Sequence, residues 1–260
     1  MVRDGHGTWL HNAARRGVSA EVDEIARQHA ITRESFAAVE SFEEIVDPDG
    51  KSFFLLPPGT GGQNARDARG AVLMTYVLNA GTGYGKTAGR RGAGNDFPET
   101  PYSAAEVRRI IDRQHANSWS YSRDVGFVHR NGGRLITTPN GMLMGLGGNR
   151  MLGVFSQQGG TCWGDIFMVN IDRPADPAEQ LRRIVRSGHA WFTGRDGAPF
   201  ESDLDLDRVL HHEERHCSQW AAKGYLGMLR DYGRELIRER VLGKTNRLEE
   251  AAGLSDGGYR

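Results

Sequence analysis

The chain has 260 residues, and 33 basic side chains balance 33 acidic ones. That balance gives no support for a nucleic-acid or anionic-membrane partner, and the length suits one large domain or two small ones. Two cysteines, Cys162 and Cys217, are too few for a disulfide framework, and 35 glycines predict a loop-rich chain.

The first residues, "MVRDGHGTWLHN", lack the apolar stretch of a signal peptide, and no run approaches the roughly 18 apolar residues of a membrane span. The expected location is the cytoplasm, or outside the cell after export by a dedicated secretion system without a cleavable signal. Residues 9–46 read as helices with polar faces, in "AEVDEIARQHA" and "RESFAAVESFEEIV". "VDPDGKSFF" is a turn followed by a short strand, and "LPPGTGG" breaks the pattern. A helix follows, opened by Asn64 and closed by Gly81. Residues 81–102, rich in glycine, arginine and proline, read as a linker or loop. "SAAEVRRIIDRQHAN" is a helix with Ser103 and Glu106 as a capping box and Val107, Ile110 and Ile111 as its apolar stripe.

After Trp119 the pattern shortens. "VGFVHR", "RLITTP" and "GMLMGLG" read as strands separated by Asn131-Gly132-Gly133 and Pro139-Asn140-Gly141, with "MLGVFSQ" and "GDIFMVNI" as further strands. "PAEQLRRIVRSGHAWF" reads as a helix with Pro177 near its start. Helices are expected over 206–222, 224–240 and 246–253. A soft boundary is placed near residue 100, which separates a helical, glycine-rich region 1–100 from 101–260. The fold class expected is α+β, with a small, mostly antiparallel sheet packed against helices.

"AGTGYGKT" (Ala80 to Thr87) matches a loose phosphate-loop pattern, with Lys86 and Thr87 as its chemical residues. A phosphate loop must open a helix, because the helix N-terminus supplies the amides and the dipole. Here "AGRRGAGNDFPETP" follows, and its glycines and prolines do not form one.

The segment with the most chemistry is "LHHEERHCSQW", which contains His212-Glu213-Glu214-Arg215-His216, an H-E-x-x-H motif. On a helix His212 and His216 lie one turn apart on one face, close enough to share a zinc ion. Glu213 projects about 100 degrees away, where it can reach a water on the metal without becoming a ligand. Val209, Leu210, Cys217, Trp220 and Ala221 give the helix a packing face. A catalytic zinc usually has three protein ligands and an open position, so a third ligand is expected downstream. Glu235, Glu239, Glu249 and Glu250 are the candidates. The first two sit in "RELIRER", a charged run suited to pairing with arginine. "NRLEEAAG" is a short helix with Asn246 as N-cap, Gly253 as its stop and alanines that allow close approach of another helix.

The combination "HEERHCSQWAAKGY … NRLEEAAG" resembles a group of bacterial zincin-like metallopeptidases with the pattern H-E-x-x-H-x-x-Q-aromatic, then N-x-(aromatic or Leu)-E-x-x-A. "TCWGDIFMVN" is similar to the edge strand that precedes the metal helix in those folds, so the resemblance spans roughly residues 160–258. It implies a zincin-like catalytic domain within 101–260, Zn2+ as cofactor, and Glu249 as the ligand completing His212 and His216. It also implies a peptide or protein substrate, cleaved by water with Glu213 as the base. Tyr259, Tyr225, His211 and His189 are candidate donors to the oxyanion, and Gln219, Asp256 and Asn246 are candidates to support the histidines. The role of residues 1–100 is open: a gate, a pro-region or a docking site for a carrier or secretion partner. Two rival readings stand beside this one. The first is a non-enzymatic binding or effector protein with a structural or vestigial zinc. The second is a cysteine hydrolase built on Cys162 in "QQGGTCWGD" with His189 as its base.

Overall fold

The computed structural model describes residues 4–60, 65–82, 96–148, 160–172, 174–194 and 196–258, with the backbone alone for 65–66 and 239–242. The chain opens with α1 (Gly5–Arg16), capped by the Asp4 carboxylate, then α2 (Ser19–His29) and the short α3 (Ala37–Glu40). The helical run expected up to residue 46 stops sooner. Glu43–Val46 is strand β1, paired antiparallel with β2 (Ser52–Leu55). Burial alternates there, with Ile45 inside and Val46 exposed, which is the period of a strand. Helix α4 (Ala65–Leu78) and a turn through Gly81 follow; Asn64, read as its opener, lies outside the described residues. In α5 (Ala104–Ala116) the Ser103 hydroxyl accepts from the Glu106 amide at 3.2 Å, one half of the expected capping box, while the Ser103 amide donates to the Tyr76 hydroxyl at 3.2 Å and the Glu106 carboxylate binds Arg109 at 2.8 Å.

"VGFVHR" is not a strand. A single π-helical turn, Ser120–Asp124, leads into α6 (Val125–Arg130). Val125 and Val128 are buried while Phe127 is 43% exposed, so the apolar pair is spaced for a helix and not for a strand. Strands β3 (Arg134–Thr137), β4 (Leu143–Leu146), β5 (Gly160–Trp163) and β6 (Ile166–Val169) complete a six-stranded sheet in the order β1-β2-β3-β4-β6-β5. The expected strand "MLGVFSQ" lies outside the described residues. β4 and β6 run parallel and the other neighbours are antiparallel. β2 pairs with β3 through Leu55 and Ile136, so the sheet joins strands from both sides of residue 100.

Adjacent strand residues enter different cores. Phe53, Ile136, Met144 and Phe167 pack on one face, in a cluster that contains Leu181 of α7 (Pro177–Ser187) and Leu210. Leu135, Leu143, Ile166 and Met168 pack on the other, with Val72 of α4 and Val125 of α6. Trp9, Phe36, Val77 and Ile110 bind the N-terminal helices into a third cluster. The fold is therefore α+β, a mostly antiparallel sheet covered by helices. Among the described residues no helix is long and apolar enough to cross a membrane.

α7 ends earlier than the sequence predicts, because Gly188 takes a left-handed conformation (φ 70°) and caps it. "HAWFT" then forms β7 (His189–Thr193), paired with β8 (Pro199–Asp205) in a two-stranded sheet. "SDLD" thus belongs to a strand, and α8 (Leu206–Leu242) begins just after it. α8 is broken at Gly224, at φ 67° and ψ 169°, between the two helices expected at 206–222 and 224–240. This backbone region is essentially restricted to glycine. Gly224→Ala is expected to destabilise the fold by about 1–3 kcal/mol from strain, since a methyl there meets no atom within 4 Å. Urea denaturation checks it, and unchanged stability would place the strain elsewhere. The last helix is α9 (Arg247–Ala252), capped by the Asn246 side chain on the Leu248 amide and stopped at Gly253.

Candidate metal centre

The H-E-x-x-H segment lies in the first half of α8, where Leu206, Val209, Leu210, Cys217 and Trp220 are buried in the core beneath the sheet. That packing fixes the rotation of the helix. It leaves His212 and His216 buried, at 2% and 8% exposure, on the side facing α9. α9 brings Glu249 to them. Glu249 Oε2 lies 3.2 Å from His212 Nε2 and 3.1 Å from His216 Nε2, and the two Nε2 atoms are 3.0 Å apart. Ligand atoms around a tetrahedral ion with arms of about 2.0 Å lie about 3.3 Å apart, so the triangle has nearly the size of one face of such a shell. Among the described residues these three form the group of histidine, cysteine and acidic side chains able to hold a metal ion.

Both imidazoles are held from behind. His212 Nδ1 donates to the Gly253 carbonyl at 2.8 Å. His216 Nδ1 donates to Gln219 Oε1 at 3.0 Å, and Gln219 Nε2 donates to the Leu248 carbonyl at 2.9 Å. With the proton fixed on Nδ1, each neutral ring turns an Nε2 lone pair toward the same space. Gln219 is thus the support for His216. Asn246 serves as a helix cap, and Asp256 binds Arg208 at 2.9 Å and faces His211 at 3.6 Å, so neither supports His212 or His216 directly. The C-terminal segment packs tightly on His212, where a Cβ at Gly257 would sit 2.6 Å from the ring.

Two imidazole nitrogens and one carboxylate oxygen converging in this way require a cation, which is a proton or a metal. Burial lowers the His216 pKa, but the hydrogen bond and charge of Glu249 outweigh it and raise the group to about 9. Burial works against ionised Glu249, yet hydrogen bonds from His212 and His216 hold its carboxyl far below the usual range. Burial pushes the Glu213 carboxyl up, opposed by His212 and His216. A carboxyl raised in this way binds a proton more readily than an ordinary carboxylate.

Glu213, His212, His216 and Glu249 line one cleft of about 70 Å3, room for a few waters at roughly 10–15 Å3 each. Its other walls come from β5, from Trp220, from Asn246 and Leu248 at the start of α9, and from the part of α8 beyond Gly224. Glu235 takes no part: it accepts from the Arg247 amide at 2.9 Å and lies 3.9 Å from Arg238. Glu250 is exposed, and the side chain of Glu239 and all of Tyr259 lie outside the described residues.

Of the other donors expected from sequence, Tyr225 packs among Trp119, Trp163 and Trp220 with ring centroids 4.9–6.0 Å away. His211 faces Asp256, and His189 pairs with Glu201 at 2.8 Å. None of the three lines the cleft. Cys162 and His189 are not brought together. The Cys162 thiol donates to the Glu213 carbonyl at 3.1 Å and lies 3.4 Å from Cys217, and burial pushes its pKa well above the ordinary thiol value. A thiol so held is a poor nucleophile. Of the stretch Ala80–Thr87, residues 83–87 lie outside the described residues.

Sequence reasoning missed the anchor of the H-E-x-x-H helix. Glu214 is buried against Arg113 and Arg109 of α5, the latter at 2.6 Å, and Ser218 donates to it at 3.1 Å. The two arginines outweigh burial and lower its pKa. Arg113 also binds Asp165 at 3.2 Å, which accepts from Asn117 at 2.8 Å and Tyr121 at 3.0 Å. Asn117 donates to the Cys217 carbonyl at 2.9 Å. The network ties α5, the β5–β6 turn and the first half of α8 together. A pairing across some hundred residues leaves no mark in local spacing, although Arg109 and Arg113, one turn apart, were the available sign. Thr161 on β5 was also missed; its buried Oγ1 has no hydrogen-bond partner among the described residues, and the residue lines the cleft.

Compared with protein-family models, curated proteins and solved structures, the chain matches none.

Proposed function

We propose that this protein is a zinc-dependent hydrolase with a zincin-like centre, a metallopeptidase that cleaves a peptide amide with water. The observation that carries the reading is the convergence of His212 Nε2, His216 Nε2 and Glu249 Oε2 within 3.2 Å, each histidine fixed by an acceptor on its Nδ1. Neutral imidazole and carboxylate suit zinc, and the mixed nitrogen and oxygen set with an open side toward a cleft suits a catalytic site more than a closed structural one. A bound zinc would supply Lewis acidity, polarising a carbonyl and acidifying water near it. The rest falls to the chain. Glu213 accepts the proton of the attacking water on its carboxylate and returns it to the leaving amine. The buried cleft walls limit bulk water around these groups. A zinc kept for structure alone needs ligands but no base, so Glu213 in the same cleft favours hydrolysis over the binding-protein reading.

The test is hydrolysis of an unfolded protein substrate before chelation, after chelation and after zinc is returned. Activity that is lost and then restored supports the reading. Activity indifferent to chelation, in protein verified as metal-free, contradicts it.

Loading should depend on pH. The proton on His216 and the metal compete for one Nε2, and the proton is held up to about pH 9. Apparent zinc affinity is therefore expected to rise by about tenfold per pH unit up to that point and to level off above it. Chelator-competition titrations across the range check this; affinity flat below pH 9 would show that His216 releases no proton on loading.

A further inference from the structure

The chain's two cysteines take no part in the chemistry proposed above, yet the fold brings them together across 55 residues of sequence. Cys162 sits on β5 and Cys217 on α8, one residue past His216. Their sulfurs lie 3.4 Å apart, in van der Waals contact. The Cys162 thiol also donates to the Glu213 carbonyl at 3.1 Å, so it lies over the helical turn that runs from Glu213 to Cys217. Cys217 is fully buried, whereas Cys162 is 7% exposed and lines the cleft. Both backbones are held: Trp220 Nε1 donates to the Cys162 carbonyl at 3.1 Å, and Asn117 donates to the Cys217 carbonyl at 2.9 Å.

We infer that Cys162 and Cys217 form a modification site, a thiol pair that hydrogen peroxide closes into one disulfide within the folded chain, clamping β5 to the H-E-x-x-H helix beside Glu213. The inference stands apart from the zinc reading. A disulfide holds its sulfurs about 2.0 Å apart, so roughly 1.4 Å of approach completes the bond. The pairing is unambiguous, because the chain has no third cysteine. Closure takes two balanced steps. The Cys162 sulfur attacks one peroxide oxygen and the O–O bond breaks, which leaves Cys162 as a sulfenic acid and releases one water. The Cys217 sulfur then attacks the Cys162 sulfur, the S–O bond breaks, and the departing hydroxide leaves with the Cys217 proton as a second water. Two thiols are oxidised to one disulfide, and one hydrogen peroxide is reduced to two waters. Cys162 reacts first because it lines a cleft with room for a few waters, and peroxide is little larger than water. Burial keeps this thiol protonated and makes the first step slow, while contact between the sulfurs makes the second fast. The bond fixes a cleft wall against the helix that carries Glu213, and the loop it closes restricts the unfolded chain.

The experiment treats the folded full chain with hydrogen peroxide for several hours, then denatures it in an alkylating reagent and weighs it. The expected results are loss of the mass of two hydrogens, loss of both alkylation adducts, and a linked pair of peptides containing Cys162 and Cys217. A dithiol reductant should restore both thiols. The oxidised chain should melt higher than the reduced one by about 5 °C or more. In Cys217→Ser, which lacks the second thiol, Cys162 should be trapped by dimedone as its sulfenic acid adduct. Full alkylation of both cysteines, after peroxide has oxidised a free thiol in the same tube, overturns the proposal. So does a bond between two chains, or Cys162 carried to its sulfinic or sulfonic acid while Cys217 stays reduced. A linked chain that melts no higher overturns the clamp. The wild-type mass and peptide map decide the question by themselves if Cys217→Ser fails to fold.

Discussion

Glu213→Gln is expected to keep its zinc and its fold while hydrolysis falls by at least ~10²-fold, the usual scale of general acid–base catalysis. The substitution preserves shape and removes the proton acceptor. Glu213 is 6% exposed and its carboxyl is pushed up by burial, so the neutral amide costs the fold less than it would at a position that relied on the charge. After burial, the strongest influences on it are the charges of His212, His216 and Glu249, the three groups that would hold a metal. Zinc content, thermal melting and turnover on one verified substrate, measured on the same preparation, separate the possibilities. Lost zinc would make Glu213 a ligand or a support. Unchanged turnover would remove it from the chemistry.

Glu249→Ala is expected to weaken zinc binding by more than ~10²-fold, beyond the ~10–100-fold typical of residues that only support a ligand. Glu235→Ala should lower affinity by less than ~10-fold. Glu235 holds the Arg247 amide at the start of α9, so its loss loosens the helix that carries Glu249 without removing a donor. Linkage gives a second readout. Zinc at a hundred times its dissociation constant stabilises the fold by about 2.7 kcal/mol, and Glu249→Ala should lose most of that gain at fixed zinc concentration. Competition with a chromophoric chelator and melting with and without zinc provide both numbers. A larger effect from Glu235→Ala than from Glu249→Ala would reverse the assignment.

The parts of the site legible in the sequence are those written in local spacing. His212 and His216 four apart on a helix, Asn246 as a cap, Gly253 as a stop and the break between the two long C-terminal helices are all local, and the structure has each of them. Glu249 was singled out by a resemblance and by the small residues after it, and α9 does carry it to the histidines. Gln219 lies one turn from His216, and the Leu248 carbonyl fixes its amide so that it supports the ring. What escaped was set by tertiary context. "VGFVHR" has strand-forming residues, yet Val125 and Val128 face the same core, and tertiary burial prevailed over propensity. "HAWF" continues a helical composition, but Gly188 ends the helix and the chain reverses into a hairpin. Arg113 and Glu214 are distant in sequence and neither has local meaning, although together they clamp α8 to α5.

The most direct test of the central claim is the zinc content of the purified chain after exhaustive dialysis, measured for wild type, His212→Ala and His216→Ala. Close to one zinc per wild-type chain, lost in both variants while each remains folded, is the result expected of two imidazoles whose Nε2 atoms lie 3.0 Å apart beside Glu249. Full retention of zinc in both variants, or a wild-type chain that takes up none from zinc-containing buffer, would contradict a metal centre at this site.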